Sequence, residues 1–71
     1  MSVKITLKSL SEAILLARKK SGLSQQELAE LSGVGKTLIF DLEKQQANIQ
    51  IEKLLKILNV LNLNILIETK E

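Results

Sequence analysis

The chain has 71 residues, 45% of them apolar, with no cysteine, histidine or proline and one aromatic residue, Phe40. That composition describes a single ordered, helix-rich domain (residues 1–71) and excludes a disulfide framework, a His/Cys metal site and an aromatic platform for single-stranded nucleic acid. Ten Lys and Arg against eight acids leave a net charge of +2, which permits a nucleic-acid partner without arguing for one.

Val3, Ile5 and Leu7 alternate with polar residues and read either as a very short strand or as the lead-in to a helix. Thr6 is a plausible N-cap for a first helix running to about Lys20, with Leu10, Ile14 and Ala17 on one face. Lys19 and Lys20 fall in its last turn, where the helix dipole favours cations, and Gly22 suits a left-handed terminating residue. Ser24 opens a second helix and, with Glu27, spells a capping box. Leu28, Ala29 and Leu31 are expected on its buried side, with Gly33 in the following turn.

A third helix is expected from Lys36 to Lys44, with Ile39 and Leu42 inward. A fourth runs from about Gln50 to Leu61. Its apolar residues Ile51, Leu54, Leu55, Ile57, Leu58 and Leu61 cover more than one narrow stripe, so one side is expected to meet a second chain. Asn62 can end this helix in the left-handed conformation. The segment Leu63-Asn-Ile-Leu-Ile-Glu-Thr69 is too short for another helix and reads as a strand. A lone strand leaves amides unpaired, so its partner is expected to be the same strand of a second copy or the Val3 to Ile5 segment. Leu58, Leu61, Ile65 and Ile67 are the dimer candidates.

The second and third helices, joined at a Gly-containing turn, have the layout of a helix-turn-helix, whose second helix enters the major groove of DNA. An ordinary αα-hairpin shares that spacing. The capping box, the small residue Ala29 at the helix crossing, Gly33 and the Ile39/Leu42 pair favour the DNA-binding motif. Lys36 can donate to guanine O6 and N7 or to a phosphate, and Thr37 offers a hydroxyl and a methyl to a base edge. Gln25, at the start of the second helix, is placed to hold a phosphate. Asp41 can accept from cytosine N4 or orient Lys44. Lys44, Gln45, Gln46 and Asn48 form a polar connector suited to the DNA backbone. Phe40 is assigned either to a thymine methyl or to packing. Arg18, the only arginine, is expected to pair with Glu43.

From Leu10 to Leu61 the chain resembles the phage-repressor-like (XRE-type) helix-turn-helix family. The resemblance rests on Gly22-Leu-Ser-Gln-Gln-Glu-Leu-Ala29, on Gly33-Val34 and on Ile39-Phe-Asp-Leu-Glu43. It implies an all-α, four-helix, lambda-repressor-like domain and DNA contacts at Gln25, Lys36, Thr37 and Asp41. It also implies the Arg18–Glu43 pair. A narrower resemblance, to HipB-type antitoxins, rests on Val34-Gly-Lys-Thr-Leu-Ile-Phe-Asp-Leu-Glu-Lys44, on Gln50-Ile-Glu-Lys-Leu-Leu-Lys-Ile-Leu-Asn59 and on the closing strand. It implies a homodimer joined by C-terminal β-strands (63–70), repression of its own operator and a HipA-type Ser/Thr kinase toxin as partner. Two departures stand out. Lys44-Gln45 replaces a common Asn-Gly, so a left-handed Gln45 is strained by about 1 kcal/mol. Ser32 replaces a usual apolar residue.

Three function classes follow. The leading one is a sequence-specific DNA-binding repressor acting as an antitoxin, with a stand-alone phage-type repressor beside it. The second is a protein-interaction module, for which Leu15 and Leu16, off the main stripe of the first helix, offer a patch. An enzyme is rejected: there is no His, no Cys nucleophile and no phosphate-binding Gly loop, and the acids scatter along helices. No cofactor or metal is expected. No run approaches the roughly 20 apolar residues of a membrane span, and the N-terminus lacks a secretory apolar region, so a cytoplasmic protein is the expectation.

Overall fold

The computed structural model describes residues 7–46 and 48–65, apart from the Leu7 side chain. Four helices follow one another: α1 Leu7–Lys20, α2 Gln25–Ser32, α3 Lys36–Glu43 and α4 Ile51–Val60. Among the described residues the domain is all-α, as expected. Thr6, the Val3 to Ile5 segment and residues 66–71, which hold Ile67 and most of the expected strand, lie outside the described residues. Leu63, Asn64 and Ile65 carry no strand pairing among the described residues.

All four described helices stop the same way. A residue just past the last turn of each helix adopts a positive φ: Gly22 (74°), Gly33 (71°), Gln45 (63°) and Asn62 (57°). The next amide then reaches back five residues to a carbonyl in the last turn. These bonds are Leu23 to Arg18 (3.1 Å), Val34 to Ala29 (3.0 Å), Gln46 to Asp41 (2.8 Å) and Leu63 to Leu58 (2.9 Å). This Schellman closure satisfies carbonyls that the helix itself leaves open. Glycine adopts the geometry without a Cβ penalty, Asn tolerates it, and Gln45 adopts it under strain, as the sequence led us to expect.

The core joins all four helices: Ile14 of α1, Leu28 and Ala29 of α2, Ile39 and Leu42 of α3, and Leu54, Ile57 and Leu58 of α4, closed by Leu61. Leu10, Ala17, Val34 and Ile65 pack against its margin. Two expectations are corrected here. Leu31 is 63% exposed, and Ser32 takes the buried place instead. Ser32 stands one turn beyond Leu28 and on its side of the helix, while Leu31 is left to solvent. Leu58 and Leu61, expected at a dimer seam, lie in the chain's own core at 3% and 7% exposure. The apolar residues of α4 left facing out are Ile51 (64%) and Leu55 (52%), one turn apart on one face.

Candidate nucleic-acid interface

A small residue and a buried ion pair hold α2 and α3 against the rest of the domain. Ala29, 1% exposed, lies in the core between α2 and its neighbours, with no bulk to push them apart. Behind the pair, Arg18 of α1 reaches the end of α3. Its Nε donates to Glu43 Oε2 at 2.6 Å, Nη2 donates to Glu43 Oε1 at 3.0 Å, and Nη1 donates to the Leu23 carbonyl at 2.8 Å. The side chains are only 12% and 6% exposed. The hydrogen bond to Glu43 holds the Arg18 guanidinium above its ordinary pKa. The expected ion pair is therefore present, and it ties α1 to α3.

At the start of α2 the capping box is complete. Glu27 N–H donates to Ser24 Oγ at 3.0 Å, and Ser24 N–H donates to Glu27 Oε1 at 2.9 Å. Accepting that backbone bond holds the Glu27 carboxyl below its ordinary value. Gln25 is half-buried, and its Nε2 donates to Glu43 Oε1 at 3.1 Å. Sequence reasoning missed this bond. One amide proton of Gln25 belongs to the Arg18–Glu43 pair, and Nε2 carries a second proton to donate.

The leading end of α3 differs. Its N-cap is Gly35, in an extended conformation and with no side-chain cap, so the first amides are left open. Lys36 and Thr37 are exposed there. Ile39 and Leu42 are fully buried, which turns the opposite face outward. That outer face carries Lys36, Thr37, Phe40 and Lys44, with the half-buried Asp41 at its edge. Open amides, a lysine and a hydroxyl give this end donors for phosphates and base edges.

The structure corrects the reading of Lys44. Its Nζ does not pair with Asp41; it lies 4.4 Å from the centroid of the Phe40 ring. The spacing of Phe40 and Lys44, one helical turn, was the available signal. Gln45, Gln46 and Asn48 are exposed in the connector, beside the end of α3. Leu16 is 67% exposed on α1, whereas Leu15 is half-buried. No group of three or more acidic, His or Cys residues able to hold a metal occurs among the described residues.

A helix-turn-helix family model matches residues 14–67. The chain belongs to the XRE-type helix-turn-helix family. Among helix-turn-helix relatives, an HTH-type transcriptional regulator of Haemophilus influenzae is 42% identical over 50 residues, covering 70% of this chain and 51% of that protein. The HTH-type transcriptional regulator y4mF of Sinorhizobium fredii is 40% identical over 52 residues, covering 73% of this chain and 68% of the relative. The chain thus spans about half the length of the Haemophilus relative. In the solved HipA-HipB-O2-O3 complex, one chain superposes with a TM-score of 0.80 at 25% identity, covering 100% of both chains. The restriction-modification controller protein C.AhdI of Aeromonas hydrophila superposes at 0.75 with 29% identity, over 82% of this chain and 88% of that one.

Proposed function

We propose that the chain is a non-enzymatic, cytoplasmic, sequence-specific repressor that binds its operator as a homodimer and serves as the antitoxin of a toxin–antitoxin operon. The observation that carries the DNA reading is the outward leading end of α3, uncapped, with Lys36 and Thr37 exposed. A two-fold dimer sets two such helices about one duplex turn apart on a pseudo-palindromic operator. Lys36 and Thr37 read base edges, with Asp41 at the rim; Gln25, Lys44 and Gln46 position the protein on phosphates. The exposed Ile51 and Leu55 support a second copy, because paired apolar residues in water gain by being covered. Ile65 and Ile67 are assigned to strand pairing over 63–70.

The HipA-type Ser/Thr kinase partner is supported by the match to a chain of the HipA-HipB-O2-O3 complex across the full length of both chains. The similar match to a restriction-modification controller supports the alternative of a stand-alone repressor. A gene for a kinase beside this one, and co-purification of its product, decides between them.

The DNA reading is tested by titrating the protein against its own upstream duplex and a random duplex at two salt concentrations. Tighter binding to the first, with affinity falling steeply as salt rises, is expected. Equal affinity for both refutes sequence specificity. Lys36→Ala should relax the preference at one base position; a uniform loss across sequences makes Lys36 a phosphate contact.

A further inference from the structure

We infer that Phe40 reads the C5 methyl group of a pyrimidine in the major groove, with Lys44 locking its ring in place. The inference rests on the operator-binding reading above and deepens it.

Phe40 is the only aromatic residue of the chain, yet it does not join the core. Its neighbours Ile39 and Leu42 are fully buried, while Phe40 is 37% exposed. It stands one turn after Lys36 and one turn before Lys44, on the outer face that also carries Thr37. An aromatic ring left in water on such a face gains only when something apolar covers it. Lys44 already takes one side, its ammonium 4.4 Å from the ring centroid. The cation restrains the ring before any ligand arrives, so little side-chain entropy remains to be lost on binding.

The major groove offers few apolar groups. Its base edges present donors and acceptors, and the exception is the methyl on C5 of thymine, which 5-methylcytosine shares. A ring between two lysines meets that requirement: Lys36 reaches a base edge, Lys44 engages a phosphate from its place beside the ring, and the ring covers the methyl. Asp41, half-buried beside it, disfavours a phosphate at that point and so favours a base edge for Phe40.

The test begins with duplexes enriched from a random library by the wild-type protein. Each dT in the enriched site is replaced singly by dU, and each dC by 5-methyl-dC. Wild-type protein is expected to lose about fourfold in affinity at one dT position per half-site, the worth of one buried methyl group. A gain of similar size on methylating one dC identifies 5-methylcytosine as the source instead. Phe40→Ala should bind the methylated and unmethylated duplexes equally, and Phe40→Leu should keep part of the discrimination. Thermal denaturation of both variants checks that the exposed position leaves the fold intact. Methyl sensitivity that survives in Phe40→Ala, or its absence at every position in the wild type, overturns the inference while leaving the operator reading standing. So does a Phe40→Ala protein that binds DNA normally and changes only its oligomeric state. If the wild type enriches no sequence, the operator reading itself fails, and this inference with it.

Discussion

Arg18 and Glu43 stand 25 positions apart, yet their side chains meet through two hydrogen bonds, at 2.6 and 3.0 Å. Gln25 joins the same carboxylate at 3.1 Å. One acidic group at the end of α3 thus fixes the end of α1 and the start of α2. α3 is oriented by a buried charge as well as by the apolar core.

Removing either partner leaves a charge with little water around it. Arg18→Ala and Glu43→Ala should each destabilise the domain by about 3 kcal/mol or more. Replacing both with apolar residues should cost less than the two single changes combined, because neither charge is then stranded. Urea denaturation of the four proteins gives the coupling; strict additivity would refute it.

The capping box sets an acid limit. The Glu27 pKa in the folded chain lies below its ordinary value of 4.5, so the unfolded chain binds more protons at acid pH. The carboxylate's contribution is complete above pH 4.5 and disappears as pH falls through the lower, folded value. Glu27→Gln keeps a capping side chain but should flatten this acid limb. Ser24→Ala should cost about 1 kcal/mol at neutral pH. Thermal midpoints followed from neutral pH into acid check both; an unchanged slope in Glu27→Gln would count against the carboxylate.

Gln45 and Gly33 share one backbone conformation and should respond in opposite directions. Gln45→Gly relieves a left-handed strain and should stabilise by about 0.5 to 1 kcal/mol. Gly33→Ala should destabilise by about 1 kcal/mol. A Cβ at Gly33 would meet nothing within 4 Å, so that cost is purely one of backbone conformation. Denaturation midpoints decide; a destabilised Gln45→Gly would mean that the Gln side chain contributes more than its backbone strain costs.

Ser11 and Ser32 bury hydroxyls without a hydrogen-bond partner. Ser11→Ala and Ser32→Ala should each raise stability by about 1 kcal/mol, since an unmade bond is lost along with the hydroxyl that lacked it. A fall in stability for either would show that its oxygen is satisfied.

Much of the fold was legible from local chemistry. Ser24 and Glu27 lie three residues apart and cap each other within one turn. Gly22, Gly33 and Asn62 are residue types that tolerate a positive φ. The Arg18–Glu43 pair was legible because Arg18 is the only arginine and sits among apolar neighbours, and the family resemblance implied the same pair. Leu31 misled because its type says apolar while its direction says outward. Gln25 was assigned to phosphate alone, since no local rule links it to a carboxylate on another helix.

Residue order alone determined, to within a residue, where α2, α3 and α4 start and where all four helices stop, because caps, left-handed residues and turn spacing act over a few neighbouring positions. It also determined that Ile39 and Leu42 share one side of α3. Only the tertiary structure decided which arc of each helix is covered. That depends on how helices cross, and crossing brought Ser32 in, turned Leu31 out, drew Leu58 and Leu61 into the chain's own core, and left Phe40 under Lys44 on the outer face. A helical repeat gives a side chain's direction around its own axis; what stands opposite is settled by residues far along the chain.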